Sequence, residues 1–181
     1  MFVLLTLLII GMDIRELQRP LKQQYRSSPS SSKITLKADS KQTDSALACS
    51  VDIGRAIYAA EAHTGVGGPG TAACSGDLLL GALAACAQIT AQLVATALAI
   101  PFKSIATEVH GDLDLAGTLG ISKDVPVGFG EIRVRFTMDA PEASEEQIAL
   151  LCSKTEQYCV VMQTLLHPPR IETSWSAADR D

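Results

Sequence analysis

Residues 74–90 read CSGDLLLGALAACAQIT, and the reading of this stretch decides the fold. Leu, Ala and Gly occupy nearly every position, so a helix built from it has no polar face. Such a helix is buried on all sides or lies in a membrane. The apolar pattern predicts a helix from 76 to about 99, with Ser75 as N-cap, Asp77 in the first turn and Pro101 just past its end. The run from Leu78 to Ile100 is long enough to span a bilayer. Gln88, Thr90, Gln92 and Thr96 interrupt it, however, and no Lys or Arg flanks its start. Its Ala-rich, low-bulk surface suits close helix contact in a protein core. One further amphipathic helix in the same chain is too little to cover it, so a second copy is expected to complete the core. Cys86 stands in the middle of this helix, as a packed small hydrophobe or as a nucleophile shielded from water.

Outward from the helix the pattern changes to period two. On the N-terminal side KITLKA (33–38), SALACSVD (45–52) and RAIYAAEA (55–62) read as three strands, with Gly54 in the second turn. A Gly-rich loop, HTGVGGPGTAA (63–73), leads into the helix. It lacks the Lys-Ser/Thr of a phosphate-binding loop, so its expected role is a tight turn that admits another backbone. On the C-terminal side FKSIATEVHGDLDLAG (102–117) and GEIRVRFTMDA (130–140) alternate as strands. SEEQIALLCSKTEQ (144–157) reads as a second amphipathic helix capped by Ser144, CVVMQTLL (159–166) as a short helix, and RIETSWSA (170–177) as a last strand. The order β-β-β-α-β-β-α-α-β, with strands in runs, implies an α+β domain with a long buried central helix.

The chain has 181 residues, which suits one domain with a real core. Residues 1–32 are set apart as an N-terminal extension and 33–181 as the domain. Within the extension residues 1–11 are apolar but too short to span a bilayer, and they lack the flanks of a secretory signal. Met12 is the expected natural start; the alternative is a membrane tether. Residues 13–25 look helical, interrupted by Pro20, and SSPSSS (27–32) reads as a flexible joint.

The net charge of −5 without a basic cluster argues against a nucleic-acid partner. No membrane partner is expected. The five cysteines are an odd number with no Cys-x-x-Cys pair, and the three histidines stand alone. A structural zinc site is therefore not expected, nor any other cofactor, and free thiols point to a reducing, cytoplasmic setting. Cys49, Cys74 and Cys152 read as packing residues, Cys152 on the apolar side of its helix. Cys159 falls at a helix break, where unpaired N–H groups favour a thiolate. Spacing alone does not bring Cys86 and Cys159 together, so packed thiols and a reactive pair both stay open.

HTGVGGPGTAACSGDLLLGALAAC, followed much later by TEQYCVVMQTLLHPPRIETSW, resembles the OsmC/Ohr family of osmotically inducible and organic hydroperoxide resistance proteins. The acidic-Leu-Leu-x-x-Ala-Leu-x-x-Cys pattern, here Asp77 through Cys86, and a second Cys in a later helical segment carry the resemblance, over roughly residues 33 to 177. It implies an intertwined homodimer with sites at the subunit interface. It also implies reduction of organic hydroperoxides, with Cys86 as peroxidatic thiol, Cys159 as resolving thiol and a dithiol reductant restoring both. The family's acidic residue is usually Glu, and here it is Asp77. Nine residues of helix place it about 13 Å along the axis from Cys86. It either reaches the site from a partner subunit or only caps its helix. The family also uses an Arg in the first hairpin, where ADSKQTDS offers only Lys41. His63, beside the Gly-rich loop, is a candidate base near the site or an exposed loop residue. Two other function classes remain: a dimeric container for a small apolar ligand, and a Cys86/His63 hydrolase with no nameable oxyanion donor.

Overall fold

The structure, a computed structural model, describes residues 14–176. The run 1–11 and residue 177 of the expected last strand lie outside them. Helix α1 (Ile14–Ser27) passes straight through Pro20. The proline ring sacrifices one helical hydrogen bond, a cost of about 3 kcal/mol, and the turns on either side persist.

Strands β1 (Asp39–Gln42), β2 (Ala48–Asp52) and β3 (Ile57–Glu61) form an antiparallel sheet in the order β1-β2-β3. The first strand is thus not at 33–38. Asp39 already pairs with Asp52, and beyond Asp52 the partner turns back through Gly54, whose φ is 81°. Residues 33–38 have no backbone left to pair with in their own chain. Ile34 and Leu36 are accordingly exposed.

The Gly-rich loop is tied at both ends. Glu61 accepts from the Thr71 N–H at 2.9 Å, the Thr71 hydroxyl at 2.7 Å and the Ala72 N–H at 3.0 Å. Ala73 accepts the Glu61 N–H at 3.0 Å and forms a parallel bridge with Ala60. Gly68 is required by a close approach, since a Cβ there would stand 1.6 Å from the Ala62 carbonyl oxygen. The loop therefore delivers the chain to a defined point at Cys74.

From that point helix α2 (Ser75–Ala97) begins, and Cys74 is its N-cap, one residue before the expected Ser75. Its far end closes with Ala99 in the left-handed region, φ 53°. Ile100 N–H bonds to Ala95 O at 2.9 Å and Ala99 N–H to Thr96 O at 3.1 Å, the bond pair of a Schellman ending. The side chain of Ile100 is buried there.

Strands β4 (Ser104–Leu113) and β5 (Phe129–Asp139) pair antiparallel along their length, with an irregularity at Asp112/Leu113. The short helix α3 (Leu115–Thr118) lies in the connection between them. One face of this ribbon, Ile105 and Val109 with Ile132, Val134, Phe136 and Met138, packs against α2. Arg133 on the other face pairs with Asp112 and Glu131. Helix α4 (Glu145–Tyr158) starts at Ser144 with a capping box to Gln147, as the sequence predicts. Helix α5 (Val160–Leu166) follows after one residue.

The core lies between α2 and these elements. Leu83, Ala87, Ala91 and Ala95 are the buried positions of α2, each four residues apart and so on one face. Leu79, Ile89, Leu93 and Leu98 are exposed. In a single chain, then, the helix is covered on one side only, not all round. Cys152 is exposed as well, because the buried stripe of α4 runs through Leu151 and Thr155 and leaves Cys152 beside it. Residues 170–176 form no strand. Their alternating pattern meets no partner edge in the chain, and Trp175 is 96 % exposed.

Candidate functional site

The site is built on a helix break. Cys159 is the single residue between α4 and α5, with φ −70° and ψ 105°. That ψ is extended, so α4 must stop there and α5 starts in a new direction. Both helices still hold the residue: its N–H donates to Thr155 O at 3.0 Å, and its carbonyl accepts from Gln163 N–H at 2.8 Å. Its side chain is 0 % exposed and packs with Leu83 and Ala87 of α2. Cys86, one residue before Ala87, borders the same cluster.

The first N–H groups of a helix have no partner inside it. Here those of Val160 and Val161 act on the Cys86 thiol, as do the Cys159 thiol and the Thr90 hydroxyl, one helical turn beyond Cys86. Burial is the largest single influence and pushes the Cys86 thiol up. The Val161 N–H, the Cys159 thiol, the Thr90 hydroxyl and the Val160 N–H together outweigh it and hold Cys86 below the ordinary cysteine value. Cys159 goes the other way. Burial raises it, the Met162 N–H offsets part of that, and donation to a neighbouring thiolate raises it further. The two thiols titrate as a pair, and Cys86 is the first of them to lose its proton.

Gln88, two residues past Cys86, fixes the helix against the ribbon. Its Nε2 donates to Ile105 O at 2.7 Å and its Oε1 accepts from Thr107 Oγ1 at 2.9 Å. A cleft of about 470 Å³, which neither cysteine lines, has Glu131 and Glu156 in its wall and, among its apolar side chains, the six Leu83, Ile132, Val134, Phe136, Met162 and Leu165. Five of these six also pack around the two cysteines.

Asp77 and His63 sit elsewhere. Asp77 Oδ2 accepts the Cys74 N–H at 2.9 Å, so it fills the capping role on its own helix. That bond is the main cause of its lowered pKa, followed by the Cys74 side chain, with a smaller contribution from the nearby His63. His63 Nδ1 accepts from Gly65 N–H at 3.0 Å and caps the turn Thr64–Val66. Both line a separate cavity of about 730 Å³ with Cys74, Leu80, Leu113 and Phe129. Within one chain neither joins Cys86. Lys41 lies on β1, exposed. Among the described residues no group of His, Cys, Asp or Glu side chains is placed to hold a metal ion.

The sequence reading therefore named both thiols but missed their surroundings. Thr90 carried a readable signal, four residues after Cys86 on a helix. The N–H groups of Val160 and Val161 carried none, since every residue but proline has one.

Two neighbouring thiols under a sheet and a long helix define a thiol-bearing α+β protein, and the chain belongs to the OsmC-like family. That family, described as OsmC-like protein, matches residues 68–174. No curated protein matches the sequence significantly. Among solved structures, an OsmC-like protein from Mycoplasma pneumoniae is similar at 19 % identity and a TM-score of 0.64, over 75 % of this chain and 90 % of that one. An organic hydroperoxide resistance protein OsmC from Legionella pneumophila is similar at 15 % identity and 0.54, over 73 % and 89 %. One from Elizabethkingia anophelis is similar at 19 % and 0.53, over 73 % and 88 %. At these identities the likeness is one of fold.

Proposed function

We propose that this protein reduces organic hydroperoxides with Cys86 as the peroxidatic and Cys159 as the resolving thiol. The observation that carries the reading is that the two thiols share one buried cluster, with Cys86 lowered by the Val160 and Val161 N–H groups and Cys159 raised by burial. The Cys86 thiolate attacks the terminal peroxide oxygen. An S–O bond forms, the O–O bond breaks, and the alkoxide leaves and takes a proton to become an alcohol. The sulfenic acid then meets the Cys159 thiol, forming a disulfide and releasing water. A dithiol reductant restores both thiols by exchange, itself becoming a disulfide. The apolar side chains of the cleft suit an alkyl chain better than hydrogen peroxide. A cytoplasmic setting would supply the dithiol. The hydroperoxide resistance proteins among the structural neighbours agree with this chemistry.

The same reading makes the protein a homodimer. A second copy would cover Leu79, Ile89 and Leu93 and offer strand edges to 33–38 and 170–176, where Ile34, Leu36, Ile171 and Trp175 are exposed. Sedimentation at micromolar concentration is expected to give a dimer; a stable monomer removes this part.

With tert-butyl or cumene hydroperoxide and a dithiol, the wild type is expected to turn over and Cys86→Ser to stop at background. A wild type that consumes neither peroxide with any dithiol overturns the proposal. The cleft also supports a second reading, a container for a small apolar ligand. Native mass spectrometry with a retained lipid, together with thiols inert to alkylation, would favour it.

A further inference from the structure

Helix α1 takes no part in the chemistry above and lies outside the span 68–174 that the family matches. Because it continues through Pro20, its residues can be placed on one wheel. At about 100° per residue, Ile14, Leu17, Leu21 and Tyr25 fall within an arc of about 80°. Arg15, Arg19, Lys22 and Arg26 fall within about 60° on one flank of that arc, with Gln18 between the two stripes. None of the helix's residues is buried, and Leu17, Leu21 and Tyr25 are 39 %, 45 % and 39 % exposed.

The charge is as uneven as the hydrophobicity. In a chain with 20 acidic and 15 basic residues, this one helix holds four of the basic residues and a single acidic one, Glu16. Arg19 pairs with Glu16 and Arg15 is engaged as well, so Lys22 and Arg26 are the cations the flank offers outward. We propose that α1 is a membrane-surface element that lies along an anionic lipid layer. Its apolar stripe enters the headgroup region, and the basic flank meets lipid phosphates.

Two features favour a bilayer over another protein. At 14 residues the helix is about 21 Å long, too short to span and long enough to lie in the interface. Its apolar stripe is narrow and edged by cations, and Tyr25 presents a ring with a polar tip, as interfacial helices do. The apolar stripe and the basic flank of the helix supply one apolar and one electrostatic signal. This runs against the expectation of no membrane partner. The proposal stands apart from the peroxidase reading. If both hold, α1 brings the cleft to the layer where lipid peroxides form.

Flotation of the full chain tests it, with vesicles of phosphatidylcholine alone and of phosphatidylcholine mixed with phosphatidylglycerol. The protein is expected to float with the mixed vesicles at low salt and to detach as salt rises. Lys22→Gln/Arg26→Gln should weaken that binding about thirtyfold, from two cations near the surface. Leu17→Gln/Leu21→Gln should weaken it on both vesicle types. A thermal melt checks that each variant folds, and because the two act on opposite stripes, either one suffices. The proposal is overturned by absent binding, by equal binding to the two vesicle types, or by binding that neither variant reduces. It is overturned equally if the apolar variant lowers the sedimenting mass while the wild type never floats, because a second copy then covers the stripe.

Discussion

Two cysteines stand at helix starts in this molecule, and their surroundings differ. Cys74 caps α2, and what engages it comes from its own neighbourhood: Asp77 three residues on, with His63 close to Asp77. Cys159 caps α5, and the N–H groups behind it serve a different residue, Cys86, from a helix far away in sequence. At the first position a local capping motif uses up the donors. At the second the cap turns the donors outward, across a buried contact, onto another thiol. One helix start thus serves its own cap, and the other lowers the pKa of a distant thiol.

The largest effect expected from disturbing this contrast is at Cys159. Cys159→Ser leaves the first attack on peroxide intact but removes the partner that closes the disulfide. Peroxide consumption should stop after at most about three equivalents per chain, one for each step of Cys86 to sulfenic, sulfinic and sulfonic acid, and mass spectrometry should find those products. Continued turnover would mean that some other thiol resolves Cys86, and the contrast would lose its meaning.

Leu83→Ala acts on the packing that presses the two thiols together. Leu83 is 2 % exposed, so the loss should be about 2–5 kcal/mol in denaturant unfolding. A loss well below that would show that the cluster around Cys159 collapses to fill the space. Thr90→Val removes one donor from the Cys86 thiolate. A hydrogen bond to a charged group is worth about 1.5–3 kcal/mol, so the Cys86 thiol should become less acidic. Iodoacetamide labelling of Cys86 near neutral pH should then slow about tenfold, with the midpoint of its rate–pH curve moved upward. An unmoved midpoint would leave the two backbone N–H groups as sufficient.

The smallest effect belongs to the other region. Asp77→Asn should cost about 0.5–1 kcal/mol of stability, the worth of a weakened cap. The Cys86 labelling rate should not change if the two regions are independent. A drop in labelling or in peroxide turnover would break the comparison, and it would place the Asp77 of a partner subunit at the Cys86 site.

The elements were legible to different depths. The α2 boundaries follow from Asp77 and Pro101, and the α4 start from Ser144 and Gln147, because caps act within one turn of chain. The existence of β2 to β5 follows from period-two alternation, which one strand displays by itself. KITLKA and RIETSWSA show the same alternation and form no strand in one chain. Pairing needs a second edge, and a sequence pattern does not say whether one is available. Cys152 illustrates a finer limit. One residue's rotation on α4 separates it from buried Leu151, and composition alone does not resolve that.

Taken alone, the sequence determined the fold class and the family, since each rests on residue types at short spacing, and it singled out Cys86 and Cys159 as candidates. Only the tertiary structure decided that the two thiols share one buried cluster, that Cys86 is the more acidic, and that Val160, Val161 and Thr90 lower it. The reason is that a thiol's acidity depends on which donors stand within hydrogen-bonding reach. Backbone N–H groups are present in nearly every residue, and packing alone determines where they point.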